Sequence, residues 1–331
     1  MATIDGATDA FGSLELRPAE VSDADAIAAL VNEMFVAEIG EPWSSPEEIR
    51  DGLTAPSGGP AFVNMVAVEA DGTPVGYLEY EVTPDPLEIA VFPHVAPRLW
   101  GRGVNAWLLR LGEDRVRAHL ASRPGSSHAV VLVGRFANND PAGRLFEAMG
   151  YRYERTFRMM RIELTDGIAE PPSPDGIHIR TLDAARDVPN AYAALAEAFD
   201  DHWGGPFQPY EGWRHRHVDG EASMFDPGLW FVAVAGDEIV GVASCASRSP
   251  RSERTALVGE LGVRRAWRHR GIARALLLTA FAEFARRGIP RAELSVDADN
   301  TTGATRLYEG IGMRVAYAWQ FWRKDIPAPD R

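Results

Sequence analysis

The residues with the clearest chemical promise lie together at Arg264-Arg265-Ala266-Trp267-Arg268-His269-Arg270-Gly271-Ile272-Ala273-Arg274. An apolar run ends at Val263, a basic loop follows, and Gly271 opens a stretch of helical periodicity with Leu276, Leu277 and Phe281 on one side. A helix that starts there presents unpaired N–H groups and the positive end of its dipole. Gly271 and the small Ala273 admit phosphate oxygens close to the backbone. With the flanking arginines, that is a setting for a pyrophosphate. A solvated basic turn before an ordinary helix has the same spacing, so the loop alone does not decide.

The basic loop stands out because the chain is acidic. Lys and Arg number 34 against 47 Asp and Glu, a net charge of −13. General nucleic-acid binding rests on phosphate neutralisation and is not expected. The one cysteine, Cys245, excludes an intrachain disulfide and a cysteine-based zinc site. It falls in an expected strand and reads as a small core residue. No group of His, Asp and Glu has metal-binding spacing, so no metal is expected. No apolar run approaches the roughly 20 residues of a membrane span. Met1 to Asp5 lacks the basic and apolar regions of a secretory leader. The expectation is a cytoplasmic protein with no membrane partner.

The elements that would hold the loop recur twice. Thr165 to Gly176 carries three prolines and two glycines and reads as a linker. Beyond it, strands are expected at Ile177–Leu182, Leu229–Val234, Glu238–Ser244, Ala256–Val263, Ala292–Val296 and Arg314–Arg323. Helices are expected at Val188–Phe199, Gly271–Arg287 and Thr301–Ile311. The first half repeats this order, with strands at Leu14–Arg17, Phe62–Val68, Val75–Val82, Leu87–Phe92, Ala129–Val133 and Tyr153–Leu164. Its helices fall at Asp23–Phe35, Gly103–Leu120 and Pro141–Met149. Asp71-Gly72 and Gly236-Asp237 mark hairpins. The fold class is therefore α/β (α+β): two tandem domains, each a mixed, mostly antiparallel twisted sheet flanked by helices. The boundaries are 1–164, a linker at 165–176, and 177–331.

After a strand and at a helix start, Arg268-x-x-Gly271-x-Ala273 is followed downstream by Asp299-Asn300 and by Leu307-Tyr308-Glu309-Gly310-Ile311-Gly312. In that order the segments resemble the GNAT superfamily of acyl-coenzyme A-dependent N-acyltransferases, and the resemblance covers 177–324. It implies that Arg268, His269, Arg270, Gly271, Ile272, Ala273 and Arg274 bind the pyrophosphate of acetyl-CoA. It implies that Leu261, Gly262 and Val263 take the pantetheine arm where strands four and five splay at a bulge. An N–H near Leu261 would receive the oxyanion. Asn300 would bond the coenzyme or cap the helix from Thr301. Tyr308 would be the general acid toward the leaving thiolate.

The base is the open position. The resemblance implies a glutamate where Leu257 stands. Glu260 lies three residues later, on the other face by strict alternation, and a bulge would turn it back. Glu260 is therefore the candidate base, beside Asp297, Asp200, Asp201, His202 and a water relay. The segment Phe199 to Phe207 would border the acceptor, as a packed loop or as an amine-binding wall.

In the first half, setting Val95 on Val263 aligns Arg102 with Arg270 and Gly103 with Gly271. Trp100 then replaces Arg268, Asn105 replaces Ala273, and Phe146 stands for Tyr308 while Asn138 matches Asn300. Phe cannot donate a proton, so this half reads as a degenerate copy. One competent half behind a degenerate one resembles tandem acetyltransferases of the mycothiol synthase type. The expected function is acetyl transfer from acetyl-CoA to a primary amine of a small molecule, by direct transfer in a ternary complex, as a monomer or homodimer. Two alternatives stand beside it: a non-catalytic acyl-CoA sensor, and an acetyltransferase of protein amines.

Overall fold

The computed structural model describes residues 14–54, 62–83, 85–123, 125–164, 171, 173–200, 207–219, 224–249, 252–300 and 303–328. The chain forms two compact units, residues 1–157 with 317–331, and residues 158–316. Most of the 165–176 linker lies outside the described residues.

The first half runs β1 (Glu15–Pro18), α1 (Ala24–Ile39), α2 (Pro46–Thr54), β2 (Met65–Val68), β3 (Pro74–Val82), β4 (Glu88–Val95), α3 (Val104–Ala121), β5 (His128–Phe136), α4 (Asp140–Ala148) and β6 (Arg152–Glu163). The second runs β7 (His178–Thr181), α5 (Val188–Phe199), α6 (Tyr210–Arg214), β8 (Phe231–Ala235), β9 (Glu238–Ala246), β10 (Thr255–Val263), α7 (Ile272–Arg286), β11 (Arg291–Asp297), α8 (Ala304–Gly310) and β12 (Arg314–Pro327). Helices α2 and α6 are additions to the sequence reading. The last helix is shorter than expected, starting at Ala304.

Both sheets follow one plan. In the first unit the order is β1-β2-β3-β4-β5-β12, with β4 and β5 parallel and their neighbours antiparallel. In the second it is β6-β11-β10-β9-β8-β7, with β10 and β11 parallel. The closing strands are exchanged between the halves. Residues 317–331 belong to the first unit and 158–163 to the second, whereas the sequence reading returns each strand to its own half.

Each sheet is covered on both faces. In the second unit, Ile272, Leu276, Leu277, Phe281 and Phe284 of α7 pack on Val240, Ala243, Ala256 and Val258. Leu195 of α5 and Trp213 of α6 pack on Val232 and Val242 of the other face. Burying each such side chain stabilises by roughly 1.5–3 kcal/mol. In the first unit α3 and α1 do the same through Leu108, Leu109 and Val116, and through Ile27, Val31 and Phe35.

The exchanged strand has a residue-level anchor. β12 pairs antiparallel with β5, Trp319 opposite Phe136 and Phe321 opposite Gly134. The Trp319 ring lies over Gly134, where a Cβ would come within 2.2 Å of it. Gly134→Ala should therefore lower stability by about 1–3 kcal/mol through overpacking, read as a drop in the denaturation midpoint. An unchanged midpoint would mean that Trp319 moves aside freely.

Candidate active site

The site is built by one extra residue in β10. Leu257 pairs with Ala246 and Val258 with Cys245, but then Glu260 pairs with Ser244, leaving Gly259 as a bulge. Ala256 and Val258 face the α7 core, and plain alternation would send Glu260 there too. The bulge turns it to the α5 face. Gly262, two residues on, confirms the turn, because a Cβ on it would meet Ala198 and Leu195 of α5 at 2.9 and 3.1 Å. The parallel pairing of β10 with β11 runs from Thr255↔Arg291 to Leu257↔Glu293 and ends there. The strands thus part beside the bulge, opening the cleft the family resemblance implies.

Glu260 sits at the edge of that cleft with its side chain 13% exposed. Trp213 Nε1 donates to its two carboxylate oxygens at 3.1 and 3.3 Å. Ser244 Oγ accepts the Glu260 N–H at 3.0 Å and donates to Oε2 at 3.3 Å. Ser244 thereby fastens both the backbone and the side chain of the bulged residue. Burial pushes the Glu260 carboxyl up to about 7, outweighing Trp213, Ser244 and Arg216, which favour the ionised form. A carboxyl poised near neutrality is suited to general acid–base work.

Trp213 comes from α6, which sequence reasoning missed. It is fully buried and rings with Tyr192, Tyr210 and Trp230. A single π turn, His215–Asp219, follows and carries His217. Tyr210, Trp213 and His217 recur at helical spacing, and that was the available signal. Gly212 and the surrounding polar residues obscured it.

The loop after β10 is a cradle of backbone donors. Arg265–Trp267 makes a 3-10 turn, His269 has φ 63°, and Gly271 has φ 79° at the N-cap of α7. Among the described residues, the N–H groups of 269–274 find no acceptor; the first bonded one is Ala275, to Gly271 O at 3.0 Å. A Cβ on Gly271 would meet nothing within 4 Å, so the space before these donors is open. Six donors at a helix start suit a pyrophosphate. The arginines divide the work differently from the sequence expectation. Arg268 donates to Val263 O at 3.3 Å and Ala198 O at 3.0 Å, bracing the loop. Arg264 and the Arg265 N–H bond Glu197, at 2.5 and 3.0 Å. Arg270 stacks on Trp267. His269, Arg270 and Arg274 are exposed and point the positive side of the loop to solvent.

Tyr308 is buried in the core cluster that also holds Val263, Ile272 and Val296, and burial pushes its phenol up to about 12. Its hydroxyl has no hydrogen-bond partner among the described residues. Asn300 closes the turn after β11, its N–H donating to Asp297 O at 3.2 Å. It is not the cap of α8: Gly303 holds that position, with no side-chain bond. Asp297 Oδ1 accepts the Asp299 N–H at 2.9 Å, which makes it a turn cap. Asp200 is an exposed partner of Arg265 at 3.2 Å. Asp201 and His202 lie outside the described residues. Cys245 is fully buried and its thiol is pushed well up, so it is inert. No group of three or more His, Cys, Asp or Glu could hold a metal among the described residues. No helix there is long and apolar enough to cross a membrane.

The first half retains the loop and the parted parallel strands, and lacks the bulge, the glutamate and the tyrosine. Gly101 and Gly103 have φ 73° and 90°, matching His269 and Gly271. Trp100 Nε1 donates to Val95 O at 2.9 Å, as Arg268 does to Val263. β4 pairs with β3 in unbroken register from Gly76↔Val95 to Val82↔Ile89, so there is no bulge. Phe92 falls where Glu260 stands, and Phe146 packs where Tyr308 does.

A parted pair of parallel strands, a donor cradle at the following helix and this element order, present twice, define a class. The acetyltransferase (GNAT) family model matches residues 25–151 and again 192–313, and the chain belongs to that family. It is an N-acetyltransferase, and acetyl-CoA is the donor this family uses. It is similar along nearly its whole length to mycothiol acetyltransferases. That of Geodermatophilus obscurus is 30% identical over 321 residues, 93% of this chain and 96% of that one. That of Streptomyces scabiei is 29% identical over 310 residues, 90% and 91%. The crystal structure of a GCN5-related N-acetyltransferase from Sphaerobacter thermophilus superposes with TM-score 0.81 at 32% identity, covering 96% of this chain and 98% of that one. A tandem GNAT protein from the clavulanic acid biosynthesis pathway shares the fold, with TM-score 0.67 at 18% identity over 96% and 100%.

The carboxyl near 7 has a kinetic consequence. As the base, Glu260 would accept a proton only when ionised, and kcat/KM would then fall as pH drops through about 7. Ser244 stabilises the ionised form, and a hydrogen bond to a charge is worth about 1.5–3 kcal/mol. Ser244→Ala should therefore move that limb up by about one pH unit or more. A limb that stays in place, or moves down, contradicts the assignment.

Proposed function

We propose that the chain transfers an acetyl group from acetyl-CoA directly to the primary amine of a small molecule, with the chemistry confined to residues 158–316. The observation that carries this reading is Glu260, a buried carboxyl turned into the cleft by the bulge and titrating near neutrality. The full-length similarity to mycothiol acetyltransferases supports a small-molecule acceptor.

The N–H groups of 269–274 would hold the pyrophosphate, with Arg270 and Arg274 adding charge at the surface. Leu261, Gly262 and Val263, on the stretch of β10 that leaves β11, would offer backbone groups to the pantetheine arm. An N–H near Leu261 would receive the developing oxyanion. Holding both substrates in one cleft supplies much of the acceleration.

Glu260 takes one proton from the bound ammonium and frees the nitrogen lone pair. The amine attacks the thioester carbonyl, and the carbon–sulfur bond breaks as the tetrahedral centre collapses. Tyr308 is the partner of the leaving sulfur. With its phenol near 12 and a free thiol near 8.5, complete transfer alone is uphill by about 5 kcal/mol. Tyr308 therefore gives its proton to the sulfur only as it takes the one the new amide nitrogen sheds, so the phenol ends protonated and coenzyme A leaves as the thiol.

Tyr308→Phe should lower kcat about 10- to 100-fold with acetyl-CoA affinity nearly unchanged. Equal kcat would remove Tyr308 from the mechanism. Gly271→Val places a β-branched residue at φ 79° in the mouth of the cradle. In calorimetric titration it should weaken acetyl-CoA at least about tenfold. Chemically deacetylated mycothiol is the first acceptor to test, followed by a panel of primary amines and by peptides. Turnover of peptides alone would overturn the small-molecule reading.

A further inference from the structure

The proton that Glu260 collects must leave before the next cycle. Glu260 is poorly placed to release it, since its side chain is 13% exposed and two donors hold its oxygens. His217 Nε2 lies 4.0 Å from Glu260 Oε1, with 29% of its own side chain exposed. It is the outer member of the pair. We propose that His217 relays the proton from Glu260 to solvent, as a positioning residue that acts through the base and does not touch the acceptor. The inference rests on Glu260 being the base.

Three features prepare His217 for this. Its ring lies against Trp213, with centroids 5.5 Å apart and planes at 31°, so the indole that holds Glu260 also orients the imidazole. Gln208 Nε2 lies 3.4 Å from His217 Nε2. An amide donor there assigns the ring hydrogen to Nδ1, and this long contact opens when Nε2 takes the proton from Glu260. The residue sits on a π turn, a local irregularity frequent at functional sites. The gap exceeds a hydrogen bond by about 1 Å, which a small shift or one water closes.

The surroundings keep His217 neutral between transfers. Burial, then Arg216 on the same turn, holds the imidazole below its ordinary value. From β9 the facing polar group is Ser244, bonded to Glu260. From α5 it is Tyr192, whose hydroxyl donates to Gln208 O at 3.0 Å and fixes that residue.

The steps balance without a co-reactant. The acceptor ammonium gives a proton to the Glu260 carboxylate, leaving the free amine and a carboxylic acid. The acid gives it to His217 Nε2, restoring the carboxylate and forming imidazolium. Imidazolium releases it to water. The second nitrogen proton ends on coenzyme A, so one proton per turnover reaches bulk solvent.

The test has an acceptor-free arm and a kinetic arm. In the imidazole NMR titration of the whole protein, His217 should show two inflections, and Glu260→Gln should remove the one near pH 7. With deacetylated mycothiol as acceptor, His217→Ala should lose at least about tenfold in kcat and keep its acetyl-CoA affinity. Added imidazole should restore the rate in proportion to its free base. His217→Asn, which keeps the polar volume, should be equally slow and serves if the alanine variant does not fold. A single inflection that Glu260→Gln leaves in place, or a rate loss that imidazole does not relieve, overturns the relay. Full turnover in Glu260→Gln overturns the base assignment instead.

Discussion

Inserting Gly259 between Val258 and Glu260 turns the rest of β10 over, and the second unit is arranged around that turn. Before it, Ala256 and Val258 face the α7 core. Glu260 and Gly262 after it face α5 and α6. The ladder of β10 with β11 ends just before it, at Leu257↔Glu293, as the ladder of the bulge-free β4 with β5 ends at Ala90↔Leu132, so the parting belongs to the shared plan and the insertion aims the carboxyl. Backbone groups left without a strand partner on that stretch are the ones an extended acyl arm can use. Gly262 then lets α5 approach closely, which brings Glu197 and the Ala198 carbonyl to brace the phosphate loop. The bulge and the buried carboxyl lie within the nine residues of one strand, and the cradle follows that strand directly.

The first unit is the same plan without that insertion. Its β4 keeps a regular register, and its loop preserves the left-handed glycines and the brace on the strand carbonyl. The backbone of a cradle therefore survives while Phe92 and Phe146 stand where the second unit has Glu260 and Tyr308. The retained features are those that also serve folding. A helix start needs its turn and a strand end needs its brace, whereas a buried carboxyl near neutrality stabilises nothing at pH 7 that an apolar residue would not.

Much of this was legible in the sequence because local signals agree with the fold. The hairpins at Asp71-Gly72 and Gly236-Asp237, the strand–loop–helix around Gly271 and the repeat all came from periodicity and turn residues. α5 lies where the spacing placed it, at Val188–Phe199. Glu260 could be named only as a residue that a bulge would rescue, since register is a property of two strands and not of one. The surroundings of Glu260 were not legible, because Trp213 and Ser244 lie 47 and 16 residues away along the chain. Nor was the exchange of β6 and β12, as pairing energy does not depend on which half supplies a strand. The arginines misled in part: the loop's charge reads as ligand binding, yet Arg264 and Arg268 are bound to protein.

The account rests on a carboxyl that the bulge buries without a full counter-charge. Its titration can be followed directly by carbon-13 NMR of side-chain-labelled glutamate, with Glu260→Gln identifying the signal. The midpoint should lie at about 7. A midpoint near 4.5, the ordinary value for a glutamate, would mean that Glu260 is solvated or ion-paired in solution, and the base would have to be sought elsewhere in the cleft.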